Sequence, residues 1–184
     1  MDADGRLDLV RDPRRNGSSH VVFEDGDDRT TVDPGAARGF WQKLRSWSKE
    51  DMVTKGAFGD FDGDGYLDLA LFYSQAHQGD DPIHNMVTHE VHYGPLARDL
   101  RGRRTGTVDV TSTTVVYGLR ATDRDRDGRS ELHLFQSEGD GVVGHSTGLR
   151  GENDRITMRD ELDDWSDKAN WPQYKHGWRD FGVC

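Results

Sequence analysis

Apolar residues in this chain come in short alternating runs rather than in long stripes. Leu67, Leu69 and Leu71 recur at every second position, and Leu132 and Leu134 repeat that spacing 63 residues after Leu69 and Leu71. A period of two puts each set on one face of a strand. Further strands are expected at 20–23, 87–93, 108–118 and 155–158. The Thr- and Val-rich run at 108–117 carries the clearest signal, because β-branched side chains fit a pleated surface. Segments 36–50 and 160–170 have room for a helical turn, but neither carries a long apolar face. The pattern predicts an all-β fold of short antiparallel strands.

The strands are organised by a repeat. Residues 60–71 begin Asp60-Phe-Asp62-Gly-Asp64-Gly65 and continue Tyr66-Leu-Asp68-Leu-Ala-Leu71, and residues 123–134 carry Asp123, Asp125, Asp127, Gly128 and Glu131 at the same offsets. The start of the chain, with Asp2, Asp4, Gly5 and Asp8, fits the same frame without its first acidic position. Trp41 and Trp47 recur as Trp165 and Trp171, two repeats of 62 residues later, and the pairs are followed by Phe58-Gly59 and Phe181-Gly182. This pitch suits one four-stranded propeller blade with long loops. The expectation is a single domain over 1–184, made of about three repeats near 1–59, 60–122 and 123–184, which starts inside one acidic loop and stops short of another. Three blades leave the ring incomplete, so flanking blades or self-association are expected to cover its open faces.

Composition narrows the partners. A net charge of −10 disfavours nucleic acid, whose phosphates need a positive surface, and makes a cation the natural ligand. The basic run Arg98, Arg101, Arg103, Arg104 lies beside Gly94, Pro95 and Gly102 and reads as a solvated loop. Cys184 is the single cysteine, so no internal disulfide is available, and it reads as a strand residue rather than a nucleophile. No apolar run reaches membrane-spanning length, and Met1 is not followed by a basic and then apolar leader, so a leader for export would lie outside this sequence.

Carboxylates at alternate positions, closed by glycine, bring several hard oxygens to one point, where without a cation they repel. Calcium accepts six to eight such oxygens at flexible geometry, whereas zinc prefers the His and Cys that these loops lack. The candidate ligand sets are Asp60, Asp62, Asp64, Tyr66 and Asp68 in one loop and Asp123, Asp125, Asp127, Arg129 and Glu131 in the next, with Asp2, Asp4 and Asp8 from the incomplete one. An EF-hand would place a carboxylate at position twelve, followed by a helix. Leu71 and Leu134 stand there instead, each in a strand-like run.

The segment Gly59-Asp-Phe-Asp-Gly-Asp-Gly-Tyr-Leu-Asp-Leu-Ala-Leu71 resembles the FG-GAP motif of integrin α-chain propellers and related bacterial repeat proteins. The resemblance implies four-stranded antiparallel blades, structural Ca²⁺ in loops that join two strands of one blade, and recognition by the less regular loops. It further implies a secreted or cell-surface binding, adhesion or scaffold module for a protein or glycan, without catalysis and without membrane insertion. The alternative is the propeller portion of a secreted carbohydrate- or peptide-processing enzyme.

Other residues are given plainer roles. His84, His89 and His92 are expected on a strand surface, since no H-E-x-x-H pattern is present. No nucleophile elbow, phosphate loop or dinucleotide fingerprint occurs. The paired tryptophans are expected to pack between blades, leaving Trp178 and Tyr174 as the first choice for a ligand-facing aromatic.

Overall fold

The computed structural model describes residues 8–14, 17–25, 28–37, 52–75, 89–110, 115–139 and 142–160. Eleven strands lie among them: β1 (Leu9–Arg11), β2 (His20–Asp25), β3 (Asp28–Val32), β4 (Met52–Gly59), β5 (Asp68–Gln75), β6 (His89–Tyr93), β7 (Arg104–Asp109), β8 (Val115–Thr122), β9 (Glu131–Gly139), β10 (Val142–Arg150) and β11 (Ile156–Asp160). Two short 3₁₀ turns, Pro34–Ala37 and Glu152–Asp154, complete the described elements. The fold is all-β.

Strands β4 to β7 pair in sequence order as one antiparallel meander, and β8 to β11 form a second. Strands β1 to β3 make a separate three-stranded sheet. In both four-stranded units the acidic loop joins the first strand to the second, and the same offset puts Asp8 just before β1. Equivalent strands of successive copies run in the same direction, and accordingly β7 and β11, the last strand of each unit, meet in a short parallel ladder at Val108↔Ile156 and Asp109↔Thr157. The first strands, β4 and β8, lie against one another at the other end of the strand order, so the eight-stranded sheet nearly closes.

The alternation of side chains explains how the layers stack. Ala70 and Phe72 of β5 turn to one side, where they pack with Val91, Val108, Leu119, Leu132, Leu134, Ile156 and Met158. Leu69, Leu71 and Tyr73 turn to the other, against Val21 and Phe23 of β2 and against Ala37, Leu96 and Leu100. Strand β5 is therefore apolar on both faces because it lies in a layer covered from both sides. Hydrogen bonds tie the segment leading into β2 to β4 of this layer: the Gly56 N–H donates to Gly17 O at 2.8 Å and the Ser19 hydroxyl to Gly56 O at 2.7 Å.

Several expectations need correction here. Leu67 is not on the strand face with Leu69 and Leu71; it lies in the loop, 41% exposed. The run at 108–118 is not one strand, because its ends belong to β7 and β8, in different units. The histidines of β6 are not at the surface: His89 is 1% and His92 3% exposed, since β6 is buried along its whole length. Arg104 is not in a solvated loop but opens β7, while Arg98, Arg101 and Arg103 are exposed as expected. Segment 36–50 contributes the end of the turn at Pro34–Ala37, and its remainder lies outside the described residues. So do 160–170 beyond β11, Asp2, Asp4, His84, Trp41, Trp47, Trp165, Trp171, Tyr174, Trp178 and Cys184.

Candidate metal loops

The loops at 60–68 and 123–131 share most of their hydrogen bonds at matched positions. In the first, Asp60 Oδ1 accepts the N–H groups of Gly63 (2.7 Å) and Asp64 (3.1 Å), and Oδ2 accepts that of Gly65 (2.8 Å). In the second, Asp123 Oδ1 accepts from Asp127 (3.1 Å) and Oδ2 from Gly128 (3.1 Å). Asp62 Oδ1 takes the Asp64 N–H at 3.3 Å, and Asp125 Oδ1 takes the Asp127 N–H at 3.2 Å. The third carboxylate bonds two residues onward in both: Asp64 to Tyr66 at 2.9 Å and Asp127 to Arg129 at 2.8 Å. Each chain path is tight enough to need left-handed backbone at two matched positions, Gly63 (φ 76°) and Gly65 (φ 85°) in one loop, Arg126 (φ 63°) and Gly128 (φ 88°) in the other. Glycine serves three of these four; Arg126 adopts the conformation against the cost its Cβ imposes.

The last acidic residue closes each loop. Asp68 is fully buried, and its two oxygens accept the Phe61 N–H (2.8 Å) and the Gly94 N–H (2.7 Å). Burial pushes its pKa up to about 6, against the pull of those two backbone donors, and Asp62 and Asp60 add to the rise. Glu131 fills the equivalent place by accepting the Arg124 N–H at 2.8 Å.

Oxygen atoms of Asp60, Asp62 and Asp68 lie within 4.8 Å of one another, as do those of Asp123, Asp125 and Asp127. Two oxygens that share one calcium at about 2.4 Å can be no more than about 5 Å apart, so both sets fit a single such ion. Asp64 and Glu131 stand outside these close sets, although both belong to the candidate ligands. Tyr66 and Arg129 occupy matched exposed positions, and Asp8 is half-buried just before β1. The donor set is all oxygen, and each carboxylate has lone-pair sites beyond those given to backbone N–H groups. The chemistry of the residues suits a hard divalent cation.

The two loops also touch. The Ser130 N–H donates to Asp60 O at 2.6 Å, and the Arg129 side chain lies so close to Gly63 that a Cβ there would meet its Nε at 3.0 Å. One member of the basic run that the sequence assigned to a solvated loop stands beside the first loop instead: the Arg104 guanidinium pairs with Asp62 and, at 2.5 Å, with Asp154 of the turn before β11. Arg150 reaches the same Asp154 oxygen at 2.6 Å, and the two guanidinium groups lie 4.8 and 5.4 Å from the centre of the Tyr93 ring. No local pattern shows that these residues meet, since they come together only when β7 and β11 align.

Comparison with known proteins finds one family. The family model described as FG-GAP repeat matches residues 52–82, which take in β4, the first acidic loop and β5. No curated protein and no solved structure matches. The FG-GAP repeat and the nearly closed β-sheet agree with a propeller-like all-β fold. Among the described residues no helix is long and apolar enough to cross a membrane.

Proposed function

We propose that the chain is a calcium-stabilised, non-catalytic binding or scaffold module that works outside the cell, in a secreted or surface-attached protein. Ca²⁺ is held by Asp60, Asp62, Asp64 and Asp68, and by Asp123, Asp125, Asp127 and Glu131, with Tyr66 and Arg129 at the intervening position of each loop. The observation that carries this reading is that two separate loops share five matched backbone-to-carboxylate hydrogen bonds and left-handed backbone at the same two positions. A solvated acidic turn has no reason to be copied with that fidelity. The bound cation supplies positive charge where carboxylates converge, and its effect is on the fold rather than on a reaction. Recognition of a protein or glycan is assigned to the irregular connections, and neighbouring blades or a second copy are further candidates for the open faces.

Titration calorimetry and thermal melting with calcium, with magnesium and with chelator test the reading. Calcium sites of extracellular modules lie at about 10⁻⁴ to 10⁻³ M, and a ligand at about 100 times its dissociation constant adds about 2.7 kcal/mol per site. Two sites and a clear rise in Tm with calcium are expected, with little response to magnesium. Asp62→Ala and Asp125→Ala are each expected to remove part of that rise. A melting curve indifferent to calcium, with no heat of binding, overturns the assignment.

A further inference from the structure

The two acidic loops share a backbone but not a neighbour. Among the described residues no cation pairs with Asp123, Asp125 or Asp127, and Asp125 Oδ2 has no partner. Asp62, by contrast, has a side chain only 5% exposed, and its Oδ2 is taken by the Arg104 guanidinium. A carboxylate withdrawn from water to that extent needs a compensating charge. Arg104 is well placed to supply one, since it opens β7, leans on the Tyr93 ring and shares Asp154 with Arg150. If the guanidinium leaves Asp62, Arg150 still neutralises Asp154. The approach of the two units at this point is close: a Cβ on Gly106, two residues along β7, would fall 1.6 Å from Asp154 O.

We propose that Arg104 is a built-in counter-cation of the 60–68 loop, which holds Asp62 in place when no metal is bound and competes with an incoming cation for the same carboxylate. The inference rests on the calcium reading given above. It has three consequences. The 60–68 loop keeps its shape in chelator, whereas the 123–131 loop depends on the ion. The 60–68 loop binds calcium more weakly than it would without the arginine, because a unit positive charge within reach of a ligand opposes a divalent ion. Filling the loop also loosens the Arg104 link to the turn at Glu152–Asp154, so that metal occupancy is felt at the junction between the two four-stranded units.

The test uses the full chain with Arg104→Gln and Arg104→Lys, each also combined with Asp125→Asn so that titration reads the 60–68 loop alone. Arg104→Gln is expected to lower Tm in chelator and yet to tighten calcium binding, by up to about tenfold for a unit charge beside a divalent ion in water-like surroundings. Arg104→Lys, which keeps the charge but loses the two-pronged contact, is expected to fall between the two. An arginine with a purely structural role would lower Tm and weaken binding together, so unchanged or weaker calcium affinity in Arg104→Gln overturns the proposal, as does an unchanged Tm in chelator. If the unaltered chain binds no calcium, the calcium reading fails separately, and the metal-free melts still decide the arginine. A double-mutant cycle of Arg104→Gln with Asp62→Asn then shows coupling if the two act through each other, and additive effects overturn it.

Discussion

His89 makes the stability of this chain dependent on pH in a way that can be worked from the structure. The β5–β6 ladder ends at Leu71↔Glu90, and just beyond it the Tyr73 N–H donates to His89 Nδ1 at 3.2 Å. The proton of the neutral ring therefore sits on Nε2, a buried atom without a hydrogen-bond partner among the described residues. The ring stacks on Phe72, 4.2 Å between centroids. Burial lowers its pKa to about 3 from the usual 6.5. A histidine with a depressed folded pKa is protonated more readily when unfolded, so its contribution is whole above about pH 6.5 and is lost as pH falls toward 3. Between pH 7 and pH 5 the linkage removes about 2 kcal/mol, which for a chain of this size is about 4–8 °C in Tm. His89→Gln keeps an acceptor for the Tyr73 N–H but does not titrate. Because the chain has eight histidines, the informative quantity is the difference between the two proteins in chelator across pH 7 to 5. The variant should have the flatter profile, and the ring resonances of His89 should not move between pH 8 and 5. Parallel profiles, or a ring that titrates near 6.5, would refute the argument.

Other substitutions test the packing and the loops by urea or thermal unfolding. Phe72→Ala removes a fully buried ring that packs against the second four-stranded unit and stacks on His89, and should cost about 3–5 kcal/mol. Gly106→Ala drives a methyl group into the backbone of Asp154 and should cost at least the 1–3 kcal/mol typical of overpacking. Arg126→Gly relieves left-handed strain at the position where the first loop already has Gly63, and should stabilise by about 0.5–1 kcal/mol in chelator; destabilisation would mean that the Arg126 side chain does more than occupy the turn.

The all-β fold was legible because the repeat carries its own punctuation. Each acidic loop ends in a glycine with left-handed backbone, and the residues after it alternate faces from the first position of the strand. Less legible was which strands are interior. The segment His89-Glu-Val-His-Tyr93 reads as a half-polar strand, yet it is buried throughout, held between β5 and β7 with Val91 and Tyr93 in the core shared with the second four-stranded unit. Two of its polar side chains meet at the period-two spacing of a strand face, His92 Nε2 lying 3.1 Å from Glu90 Oε2, whereas the approach of the Gly102 N–H to His92 Nδ1, at 3.5 Å, spans ten residues. The break inside 108–118 was hidden for a related reason. β-branched residues favour extended chain but do not say where one unit ends and the next begins.

The candidate site shows the same division between what is local and what is not. Asp60, Asp62, Asp123 and Asp125 were readable because their partners are backbone N–H groups two to five residues onward, a distance that sequence encodes directly. Asp68 was readable as a loop-closing acid, but its bond to Gly94 spans 26 residues and makes it a tie between the loop and the β6–β7 connection. Arg104 lies further still from local reading, since its two partners are 42 and 50 residues away in opposite directions along the chain. A sequence can therefore declare two equivalent loops while the fold makes them unequal. The inequality arises where successive units meet, at the Ser130 to Asp60 hydrogen bond and at the arginine that bridges Asp62 and Asp154, and these are the contacts through which a cation bound in one loop would act on the next. For a module built by repetition, that is the level at which metal occupancy would set the rigidity of the junction rather than of a single loop.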